Sequence, residues 1–127
     1  MLMVETYLAP SKIQGIGLFA SELIIKGQKV WEFTNGFDAK FSIESIENLS
    51  PPSKKRFLNY CYLSSDNNYI LCFDDARFMN HSNKPNLLDD NFEEGLVIAE
   101  CDIYPGVELT THYRKFDVDF SKRKIPE

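Results

Sequence analysis

Long apolar runs are missing from this chain. Nowhere does it approach the roughly 18 consecutive apolar residues of a membrane-spanning helix, and MLMVETYLAP at the start lacks the basic-then-apolar order of a secretion signal. The expectation is a cytoplasmic protein with no membrane partner. Cysteine is scarce and odd in number: Cys61, Cys72 and Cys101 form no C-x-x-C pair. Zinc of the structural kind is therefore not expected, and reduced, buried thiols are. Positive charge is also in deficit, 14 basic residues against 19 acidic for a net charge of −5. That balance argues against a groove built to neutralise phosphates, so no direct nucleic-acid partner is expected, and it is compatible with a basic protein or peptide substrate. The acidic pairs Asp74-Asp75, Asp89-Asp90 and Glu93-Glu94 read as solvated faces that could steer such a substrate. Repeats, low-complexity tracts and linkers are absent as well.

What is present is enough for one modest core. With 127 residues, 43% of them hydrophobic, the chain reads as a single domain over 1–127, with its core at 4–116 and a charged tail, 117–127, expected to fray. Short apolar runs separated by turn residues dominate: VETYLA, GLFA, QKVWEFT, YILCF, NLLDD, GLVIAECDI and VELTTHY. They carry β-branched and aromatic residues and read as strands, with Lys26-Gly27 and Pro105-Gly106 as turns ahead of two of them. Helix is expected only in the middle, weakly over Ser42 to Leu49 and for one or two turns after Pro51-Pro52. Several small sheets around one core suit strands this short.

Four segments concentrate glycine or polar residues beside those strands: SKIQGIGLFA, NYCYL, RFMNHSNKPN and GVELTTHY. Gly15 and Gly17 around Ile16 permit a sharp turn and a close approach of backbone to a ligand, but a strand follows rather than a helix, which excludes a dinucleotide fingerprint. In the decapeptide, the Asn80 amide and the His81 ring can each donate and accept. Taken singly, Asn, Ser and Pro in such a stretch are what any turn wants.

The order of all ten residues says more. RFMNHSNKPN resembles the R-F-I-N-H-S-C-x-P-N signature of the SET-domain lysine methyltransferases, with Met79 in place of the usual isoleucine and Asn83 where many members have cysteine. SKIQGIGLFA resembles the family's opening G-x-G element, Tyr62-Leu63 its central Tyr-Leu, and PGVELTTHY its closing G-E-E-L-T-x-x-Y, all in the family's order.

The resemblance implies a mainly β fold, a SET-type β-clip of several small sheets with a pseudoknot and one or two short helices. It implies transfer of a methyl group from S-adenosylmethionine to the ε-amine of a lysine in a protein. Gly15, Ile16, Gly17, Tyr62, Arg77, Asn80, His81 and Phe116 are then the candidate cofactor-binding residues, and Tyr113 with Tyr62 the candidate catalytic ones. Many members have a zinc-binding cysteine-rich segment after the closing tyrosine. This sequence shows none, so no metal is expected, and the cofactor wall such a segment supplies falls to Phe116 or Phe120. Thr111 stands at a position often aromatic in the family, which leaves the number of methyl groups open. Homodimerisation is left open too. Two further readings stay open: a non-catalytic SET-like module that binds cofactor or peptide, and a small hydrolase pairing a cysteine with His81 or His112.

Overall fold

The structure, a computed structural model, describes residues 1–64, 67–91 and 95–112. A hairpin opens it. Strand β1 (Thr6–Pro10) pairs antiparallel with β2 (Ile16–Ala20), from Thr6 opposite Ala20 to Pro10 opposite Ile16. The turn between them is closed by Ser11, whose amide donates to the Gly15 carbonyl (2.8 Å) and whose Oγ accepts from the Ile13 amide (2.9 Å). Gly15 takes φ +49°, a left-handed conformation that glycine adopts without a Cβ penalty.

Strand β3 (Lys29–Glu32) begins a three-stranded antiparallel sheet in the order β3-β9-β8, with β8 at Leu87–Asn91 and β9 at Leu96–Ala99. A second sheet, β4-β6-β5, is made of β4 (Ala39–Ser42), β6 (Asn68–Leu71) and β5 (Cys61–Leu63). Between β4 and β5 runs helix α1 (Pro51–Tyr60). It is longer than the one or two turns expected after the prolines, because it includes them. At the first helical positions the missing N–H of proline has no intrahelical partner to lose, and its fixed φ suits the helix. Ser50 caps this end, its side chain accepting from the Ser53 amide at 3.4 Å. Over 42–49 only a 3₁₀ turn forms, at Glu44–Ile46, and it buries Ile46 alone.

The two shortest strands matter most. β7 (Asn80–His81) and β10 (Thr110–Thr111) pair in parallel, Asn80 opposite Thr110 and His81 opposite Thr111. The fold is thus mainly strands in several small sheets with little helix among the described residues, as the resemblance implies.

Leu18, Ile24, Val30, Leu87, Ile103 and Leu109, each at most 2% exposed, form the centre of the core, joined by Trp31, Val97 and Ala99. They come from β2, β3, β8, β9 and the segments flanking them. Each such side chain contributes about 1.5–3 kcal/mol by leaving water, so the core holds the hairpin, the β3-β9-β8 sheet and the segment before β10 together.

Asp74, expected on a solvated acidic face, is instead tied into the backbone. Its Oδ1 accepts from the Ala76 amide (3.1 Å), capping a 3₁₀ turn at Asp75–Phe78, and its Oδ2 accepts from the Leu2 amide (2.7 Å). A carboxylate satisfying two backbone donors is a structural clamp. It fixes the turn that leads directly into Asn80.

Candidate active site

Two features lie on either side of β10, a polar junction and a cavity. The junction is built from three distant pieces of chain. Asn80 Nδ2 donates to the Gln14 carbonyl at 3.1 Å and to Glu108 Oε2 at 2.9 Å. Glu108 also accepts from Ser11 Oγ, at 2.8 Å to Oε1 and 2.9 Å to Oε2. Gly17 lies against that carboxylate so closely that a Cβ there would stand 2.4 Å from Oε2. The glycine is thus required by the approach of Glu108, while Ile16 between the two glycines is paired with Pro10 at the end of the hairpin and is exposed.

Asn86 closes the far end of the decapeptide onto the same strand. Its Nδ2 donates to the Glu108 carbonyl (2.8 Å), its Oδ1 accepts from the Thr110 amide (2.9 Å), and its own amide donates to Thr110 Oγ1 (3.3 Å). His81 is buried, its ring 4.7 Å from that of His112 in an edge-on arrangement and its Nε2 within 3.2 Å of Asn83 Oδ1. The Ser82 amide donates to the Thr111 carbonyl at 2.9 Å and extends the pairing by one residue.

On the other side of β10 is a cavity of about 80 Å³ lined by Trp31, Tyr60, Tyr62, Arg77, Met79, Asp89, Val97 and Thr111, with Cys61 and Cys72 at its wall. The Arg77 guanidinium lies 5.2 Å from the centre of the Tyr60 ring and 5.3 Å from that of Phe78, within cation–π range. Buried in the residues forming this wall are Trp31 Nε1 and Thr111 Oγ1, neither with a hydrogen-bond partner among the described residues.

The candidate residues therefore divide. Asn80 and Gly17 both contact Glu108 at the junction, Gly15 and Ile16 lie at the adjoining turn, His81 pairs with β10, and Tyr62 and Arg77 line the cavity. Tyr113 and Phe116 lie outside the described residues, as do Phe120 and Glu93-Glu94. Sequence reasoning assigned no role to Ser11, Asn86 or Glu108, although all three sit in the segments it singled out. A serine just ahead of a G-x-G turn and an asparagine after a proline are recognisable turn residues, but nothing local says that their side chains meet a strand far along the chain.

The thiols are poorly placed for nucleophilic work. Burial first, and the nearby carboxylates of Asp38 and Asp74 second, push the Cys72 thiol well above its ordinary range, so it stays protonated at any pH where the protein is handled. Cys61 is buried and Cys101 exposed. A disulfide-exchange reagent at pH 8 is expected to modify Cys101 alone in the native protein, with Cys61 and Cys72 reacting only in denaturant. Rapid native labelling of Cys72 would reopen the cysteine-hydrolase reading, which this geometry disfavours.

A family model describing the SET domain matches residues 15–114. The histone-lysine N-methyltransferase trr of Drosophila melanogaster is 34% identical over 129 residues, covering 96% of this chain and 5% of the fly protein. The human histone-lysine N-methyltransferase 2D is 29% identical over 130 residues, covering 96% of this chain and 2% of that one. The chain thus spans a small part of the length of either relative. Among solved structures, a chain of the Chaetomium thermophilum Polycomb Repressive Complex 2 bound to GSK126 superposes with a TM-score of 0.70 at 22% identity, over 94% of this chain and 17% of that chain. Another, ctPRC2 in an autoinhibited conformation bound to S-adenosylmethionine, gives 0.67 at 19% identity, over 94% and 16%. These last two likenesses establish the fold.

Proposed function

The chain belongs to the SET-domain family, and from that premise we propose that it transfers a methyl group from S-adenosylmethionine to the ε-amine of a lysine in a basic protein or peptide. The observation that carries this reading is the position of β10. Thr110 is paired with Asn80 of the junction and bonded to Asn86, while Thr111 next to it lines the aromatic cavity. One two-residue strand thereby separates a site suited to a polar cofactor from a site suited to an aliphatic side chain ending in an amine.

The junction fits the cofactor chemically. Both Nδ2 donors of Asn80 face acceptors, a carbonyl and a carboxylate, which leaves its Oδ1 as an acceptor with no donor among the described residues. The α-ammonium of S-adenosylmethionine is such a donor, and by resemblance the Ile16 backbone would add further contacts. S-adenosylmethionine, when bound, supplies a methyl group activated by a positively charged sulfur. What the protein must do is present a neutral amine in line with that group. Deprotonating a lysine of reference pKa about 10.4 near neutral pH costs about 4 kcal/mol. The apolar faces of Trp31, Tyr60, Tyr62 and Val97 would strip water from an amine entering between them and lower that cost, against which the Asp89 carboxylate on the same wall acts. Fixing the amine in a near-attack geometry can contribute roughly 7–11 kcal/mol more.

By resemblance, Tyr113 orients the amine through its phenol, and Tyr62 on the cavity wall shapes the approach. A metal has no assigned part. A cytoplasmic location belongs to the same proposal and awaits fractionation. Calorimetric titration of S-adenosylmethionine tests the reading. Wild type is expected to bind saturably, Asn80→Ala to lose at least about tenfold in affinity, and Tyr113→Phe to keep binding while turnover on a lysine peptide falls about a hundredfold. Absence of binding by folded wild type, with peptide present or absent, would exclude the methyltransferase. Binding without turnover on any basic protein would instead favour a non-catalytic SET-like module.

A further inference from the structure

The Asn80 amide is planar, and its two ends have opposite chemistry: one donates twice, the other accepts. Which end faces the ligand decides whether the site attracts or repels a cation. Nothing in Asn80 itself determines this. The determinant is its neighbours, and one of them, the Gln14 carbonyl at 3.1 Å, is backbone on an exposed turn. The other, Glu108 Oε2 at 2.9 Å, is an acceptor under every rotation because a carboxylate has no donor to offer. Ser11 Oγ holds that carboxylate through both of its oxygens, at 2.8 and 2.9 Å. Gly17 lies against it, so close that an added Cβ would stand 2.4 Å from Oε2.

We infer that Glu108, seated by Ser11 and Gly17, is a positioning residue that locks the Asn80 amide with its oxygen presented to the α-ammonium of the cofactor. The inference rests on the S-adenosylmethionine site proposed above and adds to it the residue that sets its polarity. Glu108 does not touch the reacting atoms. It acts through Asn80. A glutamine at 108 has nearly the same shape but carries its own N–H₂. Turned one way that group opposes the Asn80 N–H₂, and the Asn80 amide then rotates in part of the population, offering hydrogens to a cation.

The experiment compares two ligands on three proteins. S-adenosylmethionine carries the α-ammonium, while 5′-methylthioadenosine keeps the nucleoside and sulfur and lacks the amino-acid end. For Glu108→Gln, affinity for S-adenosylmethionine is expected to fall about tenfold, equivalent to about 1.4 kcal/mol, with 5′-methylthioadenosine changed less than about twofold. Ser11→Ala is expected to move in the same direction by about threefold, and it carries the test should Glu108→Gln fail to fold. Equal losses for both ligands would show Glu108 to be a structural clasp and overturn the inference. So would unchanged binding of both in folded variants. Failure of wild type to bind S-adenosylmethionine is a different outcome, because it removes the cofactor site itself and the inference with it.

Discussion

Gly17→Ala is expected to lower the unfolding free energy by about 3 kcal/mol, a large cost for one methyl group, because the position is buried. The added Cβ would lie 2.4 Å from Glu108 Oε2, 2.9 Å from Glu108 Cδ and 3.0 Å from Ser11 Cβ. A carboxylate at the end of a flexible side chain could ordinarily swing aside. This one accepts from Ser11 and from Asn80, and hydrogen bonds to a charged group are worth roughly 1.5–3 kcal/mol each. Moving it breaks the junction. Gly15→Ala provides the contrast: φ there is +49°, but nothing lies within 4 Å of the position its methyl group would take, so only the left-handed conformation is strained, at about 1 kcal/mol. Urea unfolding of both variants should separate the two mechanisms. In a Glu108→Ala background the two shortest contacts disappear and only Ser11 Cβ at 3.0 Å remains, so Gly17→Ala should become markedly milder, a coupling of about 1–3 kcal/mol in the double-mutant cycle. Equal costs for the two glycines, or additivity with Glu108→Ala, would mean that Glu108 does not fill the space beside Gly17.

The same glycine shows where sequence reading stops. Strands β2, β3, β8 and β9 are legible because burial leaves a local pattern of β-branched and aromatic residues, as in Val30 and Trp31 or Val97 and Ala99. Strand β4, Ala39–Ser42, is not legible: none of its residues is buried, so its side chains carry no strong pattern, and its placement comes from pairing with β6. Strand β7 is two residues long, too short for any period, and β10 is only the two-residue centre of the strand expected over VELTTHY. At the site, the decapeptide could be recognised from the order of its residues. The contact of Ser11 with Glu108 spans 97 positions, and no local rule reports it. The cavity belongs to the same class, since Trp31, Tyr62 and Thr111 become neighbours only when three separate sheets meet.

Asn86→Ala is expected to cost about 3 kcal/mol and to reduce methyl transfer beyond what that loss of stability explains. Two backbone groups, one on β10 and one two residues earlier, depend on this side chain: the Thr110 amide donates to Asn86 Oδ1 at 2.9 Å, and the Glu108 carbonyl accepts from Asn86 Nδ2 at 2.8 Å. Alanine removes both partners at once. An unpaired buried donor or acceptor costs roughly 1–3 kcal/mol, and Thr110 is 7% exposed, so water offers little replacement. Asn86→Asp discriminates between the two bonds. It keeps an acceptor for Thr110 but faces the Glu108 carbonyl with a second acceptor, so it should recover part of the Thr110 protection and little of the stability. The functional consequence follows from register. Freed at Thr110, β10 can no longer hold Thr111 on the cavity wall or Asn80 opposite it, and the cofactor and amine sites lose their fixed separation. Hydrogen exchange reads this directly, because the Thr110 amide should be protected in wild type and exchange far faster in Asn86→Ala at temperatures where the domain remains folded. Unchanged protection at Thr110 would place the anchor of β10 elsewhere, in the His81 pairing alone.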